Sequence, residues 1–172
     1  MDLSPIAPAD ITDLHQLVQL VNRAYRGEAA KKGWTHEADL IDGTVRTDAS
    51  SLERLIKNPD AVVLKYSEAG KIVGCVYLEK QGDKLYLGML SVDPEIQARG
   101  IGKTLLRAAE VQAKKIGCAL IEMTVISVRK ELIAWYERNG YHETGIIKPF
   151  PNDGRFGEHR QPLQFIVLEK EV

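Results

Sequence analysis

Leu14, Leu17, Val18, Val21 and Tyr25 recur at three- and four-residue intervals. They predict a first amphipathic helix. Asp10 and Asp13 sit at its start, where acids face the positive end of the helix dipole, and Gly27 is placed to stop it. Residues 2–7 read as a short strand. Residues 28–50 carry few periodic apolar positions and predict a long loop holding a short helix near 36–41. Leu52, Leu55 and Ile56 mark another short helix over 50–57, ended by Asn58-Pro59. Three apolar, β-branched runs then follow at 61–66, 72–79 and 85–92. The turns at 68–71 and 81–83 are too short for a crossover, so these runs predict an antiparallel meander. From Ile101 the period changes. Ile101, Leu105, Ala109, Ala113 and Ile116 fall on one helical face, which ends at Gly117. Residues 119–125 read as a strand and 130–138 as a helix closed by Asn139-Gly140. Two last strands, 141–147 and 163–169, flank a Pro- and Gly-rich loop at 148–161. This order predicts a mixed sheet with helices packed on it, an α/β or α+β domain spanning residues 1–172.

Composition narrows the function classes. With 172 residues, 44% of them hydrophobic, the chain can bury a sizeable core. A net charge of -1 gives no global attraction to nucleic acid or to an anionic membrane. No apolar run approaches the roughly 18 residues of a membrane span. The first residues lack the basic-then-apolar order of a signal peptide, so a cytoplasmic location is expected. Cys75 and Cys118 are far apart in sequence and read as two free thiols. His15, His36, His142 and His159 have no ligand-pair spacing, and no metal site is expected.

The informative stretch runs from Leu90 to Thr104. An apolar strand ends at Asp93-Pro94, a short polar loop carries Gly100 and Gly102, and the long helix starts at once. The first N–H groups of a helix have no intrahelical acceptor and lie at the positive end of its dipole. Glycines there put no side chain in the way of a diphosphate, and Arg99 and Lys103 add positive charge. Two other phosphate motifs fit poorly. The dinucleotide fingerprint needs a third glycine after Gly102, and the P-loop needs a glycine where Gln97 stands.

Gln97-Ala98-Arg99-Gly100-Ile101-Gly102 resembles the Q/R-x-x-G-x-G/A signature of the GNAT superfamily of N-acetyltransferases, and Met89-Leu90-Ser91-Val92-Asp93-Pro94 resembles its lead-in strand. The segment from Leu132 to Tyr141, with Tyr136, Asn139, Gly140 and Tyr141, resembles the second signature of that family. Both occur in the family's order and spacing across about residues 60–147. The resemblance implies a twisted, mostly antiparallel mixed sheet of about seven strands with about four helices on its two faces. It also implies acetyl-CoA as co-substrate and acetyl transfer to a primary amine by direct attack. Carried over residue by residue, main-chain groups of Leu90, Ser91 and Val92 would bond the pantetheine arm. Gln97, Ala98, Arg99, Gly100, Ile101, Gly102, Lys103 and Thr104 would hold the diphosphate. A β-bulge is usual where the strand splays, with Ser91 its expected site.

On spacing alone Tyr136 reads as a core tyrosine; the same resemblance reverses that and gives it the role of general acid toward the departing sulfur. Three bases stay open: Glu122, which interrupts an apolar strand, Glu79 at a strand end, and ordered water. The family often has an Asn after the second-signature strand, where this chain has Ser127-Val128-Arg129. For the acceptor, Trp34 and Glu37, with Asp39 and Asp42, form an acidic and aromatic patch suited to a protonated amine. Arg155, His159 and Arg160 suit a carboxylate. A small-molecule amine is the leading acceptor. A protein N-terminus or lysine is the alternative, and a non-catalytic acyl-CoA sensor is a third reading. A monomer or a homodimer is expected.

Overall fold

The computed structural model describes all residues except 1, 32–35, 44, 97–98 and 152–156. Short strand β1 (Ile6–Pro8) leads to a helical turn capped reciprocally by Asp10 and Asp13, then to helix α1 (Leu14–Tyr25). A single-turn helix α2 (Gly27–Ala30) and a two-residue strand β2 (Ile41–Asp42) precede α3 (Ala49–Lys57). The side chain of Asp48 caps α3 by accepting from the Ser51 N–H at 2.7 Å. The meander follows as β3 (Ala61–Glu68), β4 (Lys71–Gln81) and β5 (Lys84–Val92). Helix α4 (Ile101–Lys115), strand β6 (Leu120–Ile126) and helix α5 (Lys130–Arg138) come next. The chain closes with β7 (His142–Pro149), a two-residue β8 (Glu158–His159) and β9 (Gln164–Glu171).

Seven strands form one sheet in the order β1-β3-β4-β5-β6-β9-β7, and β2 pairs separately with β8. Every pairing in the large sheet is antiparallel except β5 with β6. The sequence-derived expectation of a mixed, mostly antiparallel seven-stranded sheet holds.

Two hydrophobic clusters show how the helices cover the sheet. Leu17, Leu20 and Val21 of α1 and Leu52 of α3 bury their stripes against Val63, Ile72, Cys75 and Met89. Ile101, Leu105 and Ala109 of α4, with Leu132, Ile133 and Tyr136 of α5, pack with Val76, Leu78, Leu85 and Met123 in the other cluster. The central strand β4 is buried along most of its length, which is why it reads as a continuous apolar run rather than an alternation.

One close approach positions the site. A Cβ on Gly74 of β4 would lie 3.0 Å from Ile101 Cγ2 and 3.2 Å from Leu105 Cδ1. Only a glycine lets the first turns of α4 lie this close to the sheet, beside the end of β5.

The expected helix near 36–41 is not found. Residues 38–40 form a turn, and Ile41 pairs with His159 in the β2-β8 ladder. The interval 148–161, read as loop, contains the end of β7 and all of β8. Both differences arise from pairing between segments far apart in sequence, which local periodicity does not register.

Candidate active site

Strands β5 and β6 share only three register positions, Lys84 with Leu120, Leu85 with Ile121 and Tyr86 with Glu122. Beyond Tyr86 they part. Leu87 to Val92 continue along β4, and Met123 to Ile126 continue along β9. The split leaves main-chain groups of both strands facing a gap with no ladder partner across it.

A bulge accompanies the split. Cys75 pairs with Ser91 and Tyr77 with Gly88, so Met89 and Leu90 together oppose Val76. Met89 takes φ of 55°, a left-handed conformation costly for a side chain of its type. The bulge expected at Ser91 therefore lies at Met89 and Leu90. Its position depends on the register against β4, which the β5 sequence does not contain. The buried Ser91 hydroxyl donates to the Met89 carbonyl at 3.0 Å, and the Tyr25 hydroxyl of α1 donates to the Leu90 carbonyl. These bonds hold the bulge from both sides.

The start of α4 lies beyond the end of β5. Gly100 is its N-cap at φ of 76°, and a Cβ there would meet no protein atom within 4 Å. The first main-chain bond of the helix runs from the Thr104 N–H to the Gly100 carbonyl at 2.9 Å, and the Thr104 hydroxyl also donates to that carbonyl at 2.8 Å. The N–H groups of Ile101, Gly102 and Lys103 thus precede the first intrahelical bond. Arg99 is committed elsewhere: its guanidinium clasps the Glu68 carboxylate at 2.8 and 3.0 Å. Gln97 and Ala98 lie outside the described residues.

The gap opens into a cavity of about 400 Å³. One wall is main chain and side chain of Leu87 to Leu90 and of Met123 to Ile126; the other comprises Tyr25, Arg26, Glu37, Arg46, Arg129 and His159, among others. Tyr136 of α5 lies against this space, buried, its ring set edge-on to Trp135 and Tyr141. Burial, with smaller contributions from Tyr25 and Tyr141, holds its hydroxyl well above the ordinary tyrosine value. Tyr136 therefore stays protonated through neutral and mildly alkaline pH, the state a proton donor requires.

Glu37 lines the cavity as expected, but its carboxylate is taken. Its Oε2 accepts from Arg26 Nε at 3.1 Å and Nη2 at 3.0 Å, with both side chains buried. Trp34 lies outside the described residues. Glu122 stands outside the cavity lining. It sits on the half-exposed face of β6, where its carboxylate meets Lys84 at 3.0 Å and Lys148 at 3.6 Å. Glu79 is bound by Asn58, Tyr77 and Gln81, and it too is absent from the lining. Neither carboxylate base candidate is in the lining that contains Tyr136.

Several lining residues had no site role in the sequence, among them Tyr25, one apolar position of α1, Arg129, part of a connection, Phe150 in a loop, and Arg26, Arg46 and Phe165. A single signal was available: Arg129 immediately before α5 is a cation at the positive end of a helix dipole, an unfavourable place without another reason for it.

The Acetyltransferase (GNAT) family model matches residues 14–141. The chain belongs to this family. It is 31% identical over 86 residues to the uncharacterized protein YdhI of Bacillus subtilis (strain 168), a match covering 50% of this chain and 51% of that one. The chain thus spans about half the length of that relative. Among solved structures, the ribosomal-protein-S18-alanine N-acetyltransferase of Escherichia coli superposes with a TM-score of 0.72 at 18% identity, covering 97% of this chain and 92% of that one. The PaiA N-acetyltransferase of Thermoplasma acidophilum, solved with coenzyme A, gives a TM-score of 0.70 at 22% identity over 97% and 98% of the two chains. At these identities the likeness establishes the shared GNAT fold. No helix among the described residues is long and apolar enough to cross a membrane.

Proposed function

We propose that this GNAT protein transfers the acetyl group of acetyl-CoA to the amine of a small molecule. The observation that carries the reading is the parting of β5 and β6 after Tyr86, with the bulge at Met89 and Leu90 beside it and Tyr136 on the far wall. A gap edged by unpaired main chain suits an extended arm carrying amide groups, and the bare start of α4 suits a diphosphate. Main-chain groups of Leu90, Ser91 and Val92 would hold the arm, and those from Gly100 to Lys103 the diphosphate, the Thr104 N–H being bonded to the Gly100 carbonyl. The bound thioester supplies an activated acyl carbon.

The protein's own groups supply the rest. A main-chain N–H at the bulge polarises the acyl oxygen, held in place because Tyr25 and Ser91 fix the neighbouring carbonyls. Tyr136, kept protonated by burial, donates to the departing sulfur. The carboxylate in the lining, Glu37, is paired with Arg26. The amine therefore loses its proton to water, leaving Glu122 and Glu79 with structural roles.

The test is thiol release from acetyl-CoA by the full chain with a panel of amines, products being read by mass spectrometry. Acetylated small amines are expected. Tight cofactor binding with no product from any amine would convert the reading to that of an acyl-CoA sensor.

A further inference from the structure

The cavity wall opposite the splayed strands has an uneven charge. Among the described residues, three guanidiniums, Arg26, Arg46 and Arg129, face it with one carboxylate, Glu37. Arg26 and Glu37 neutralise each other, and Arg26 also donates to the Val45 carbonyl at 3.2 Å. Arg46 differs. Its guanidinium lies over the Tyr25 ring at 5.2 Å, and no described carboxylate stands within ion-pair distance of it. Its main chain is fixed: the Asn22 carboxamide oxygen of α1 accepts from the N–H groups of both Arg46 and Thr47, the latter at 2.8 Å. Arg129 adds a second cation at the positive end of the α5 dipole, and burial already draws its guanidinium down from its usual value. A guanidinium such as that of Arg46, facing a partly enclosed cavity, favours an anionic guest.

The aromatic groups describe the rest of the guest. Phe150 packs on Phe165 with ring centroids 4.7 Å apart and on His159 at 4.9 Å, and all three line the cavity. This surface suits an apolar or planar body. The Tyr25 ring beneath Arg46 carries the hydroxyl that bonds the Leu90 carbonyl, so one side chain touches both the cation and the bulge.

Resting on the transferase reading above, we propose that the acceptor is a small amino acid-like molecule, its carboxylate received by Arg46 and its apolar or aromatic body seated on Phe150 and Phe165. The carboxylate and the attacking amine then belong to one short molecule, because Arg46 and the bulge are bridged by a single side chain. Glu37 does not compete for the amine, since Arg26 occupies it. The small β2-β8 ladder joins the two segments that carry Glu37, Arg46, Phe150 and His159.

The experiment compares kcat/KM for phenylalanine, for phenethylamine, which lacks only the carboxylate, and for a peptide with an N-terminal phenylalanine. Phenylalanine is expected to exceed phenethylamine by on the order of tenfold to a hundredfold, the worth of a charge-assisted hydrogen bond. Arg46→Gln should collapse that ratio toward one, while Arg46→Lys retains part of it. Equal or better use of phenethylamine or of the peptide by the wild-type protein overturns this proposal and leaves the transferase reading intact. So does a ratio that Arg46→Gln does not move in a variant shown by circular dichroism to be folded. Absence of any acetylated product, with coenzyme A still bound, removes both.

Discussion

Along β5 and β6 the cavity wall is two parting strands whose facing main-chain groups have no ladder partner, one of them bulged, and the start of α4 lies beyond the end of β5. Across from it the wall is mostly side chain, delivered by the end of α1, the 36–47 segment, the start of α5 and the strands near Phe150 and Phe165. A main-chain wall tolerates many sequences, since only the path of the backbone and the absence of Cβ atoms matter. A side-chain wall depends on which residue each distant segment supplies. In the proposed reading the first serves the common donor and the second the particular acceptor, and substitutions on the two walls should fail in different ways.

The largest effect is expected at Gly100. Valine there would carry a branched side chain into the space that the α4 N–H groups face. It would also strain a backbone at φ of 76° by about 1–2 kcal/mol. Gly100→Val should weaken coenzyme A binding by about two orders of magnitude, roughly 3 kcal/mol in calorimetry. Its melting temperature should fall only modestly, because no protein atom lies within 4 Å of the new Cβ. Retained affinity in the folded variant would remove the helix start from the donor site.

Tyr136 also lines the cavity. Tyr136→Phe should lower kcat by about a hundredfold, the lower range for a positioned general acid, with coenzyme A affinity nearly unchanged. The pH profile follows from the direction of its shift. The donor must be protonated, and burial raises its pKa above the ordinary 10, so no falling limb from this group is expected below pH 10. The rising limb should follow the pKa of the amine itself, since the proton leaves to water. Moving to a less basic amine should shift that limb to lower pH; a limb fixed near the carboxylate range would point to a protein base.

The walls were unequally legible in the sequence. The strand end at Asp93-Pro94, the two glycines and the immediate change to helical period are local features, so the donor wall could be read residue by residue. Even there the bulge lay one to two residues from Ser91, because register against Cys75 and Tyr77 decides it. The acceptor wall was scarcely legible. Ile41 meets His159, and Arg46 meets Tyr25, through pairings that no window of sequence contains. Glu122 is the instructive intermediate. Leu120, Glu122 and Thr124 alternate with the buried Ile121, Met123 and Val125, so its strand face was readable, but its partners Lys84 and Lys148 were not.

On the acceptor wall, Glu37→Gln keeps the shape of the side chain but leaves the buried Arg26 guanidinium without a counter-charge. Loss of one partner from a buried pair is expected to cost about 3 kcal/mol, read as a lower midpoint in chemical denaturation. Coenzyme A affinity should change far less than in Gly100→Val. A variant of unchanged stability would mean that solvent already compensates Arg26.

The smallest effect is expected at Glu122, and there the smallness is the test. If Glu122 were the general base, its loss would cost about a hundredfold or more in kcat/KM. Its position argues otherwise. The carboxylate meets Lys84 and Lys148 on a face outside the cavity lining, and Lys84 keeps Glu169 as a second partner at 2.9 Å. The hydrogen bonds Lys84 donates to Glu169 and then to Glu122 hold its ammonium above its ordinary value, so with Glu122 gone it remains charged and paired. Exposed pairs of this kind contribute little to stability. Glu122→Gln should therefore leave kcat/KM within about twofold of wild type across pH 7–9. Its melting temperature should stay within roughly 2 °C. A hundredfold loss confined to kcat/KM, with the melting temperature unchanged, would return Glu122 to the reaction and require the cavity to extend to the β6 face when both substrates are bound.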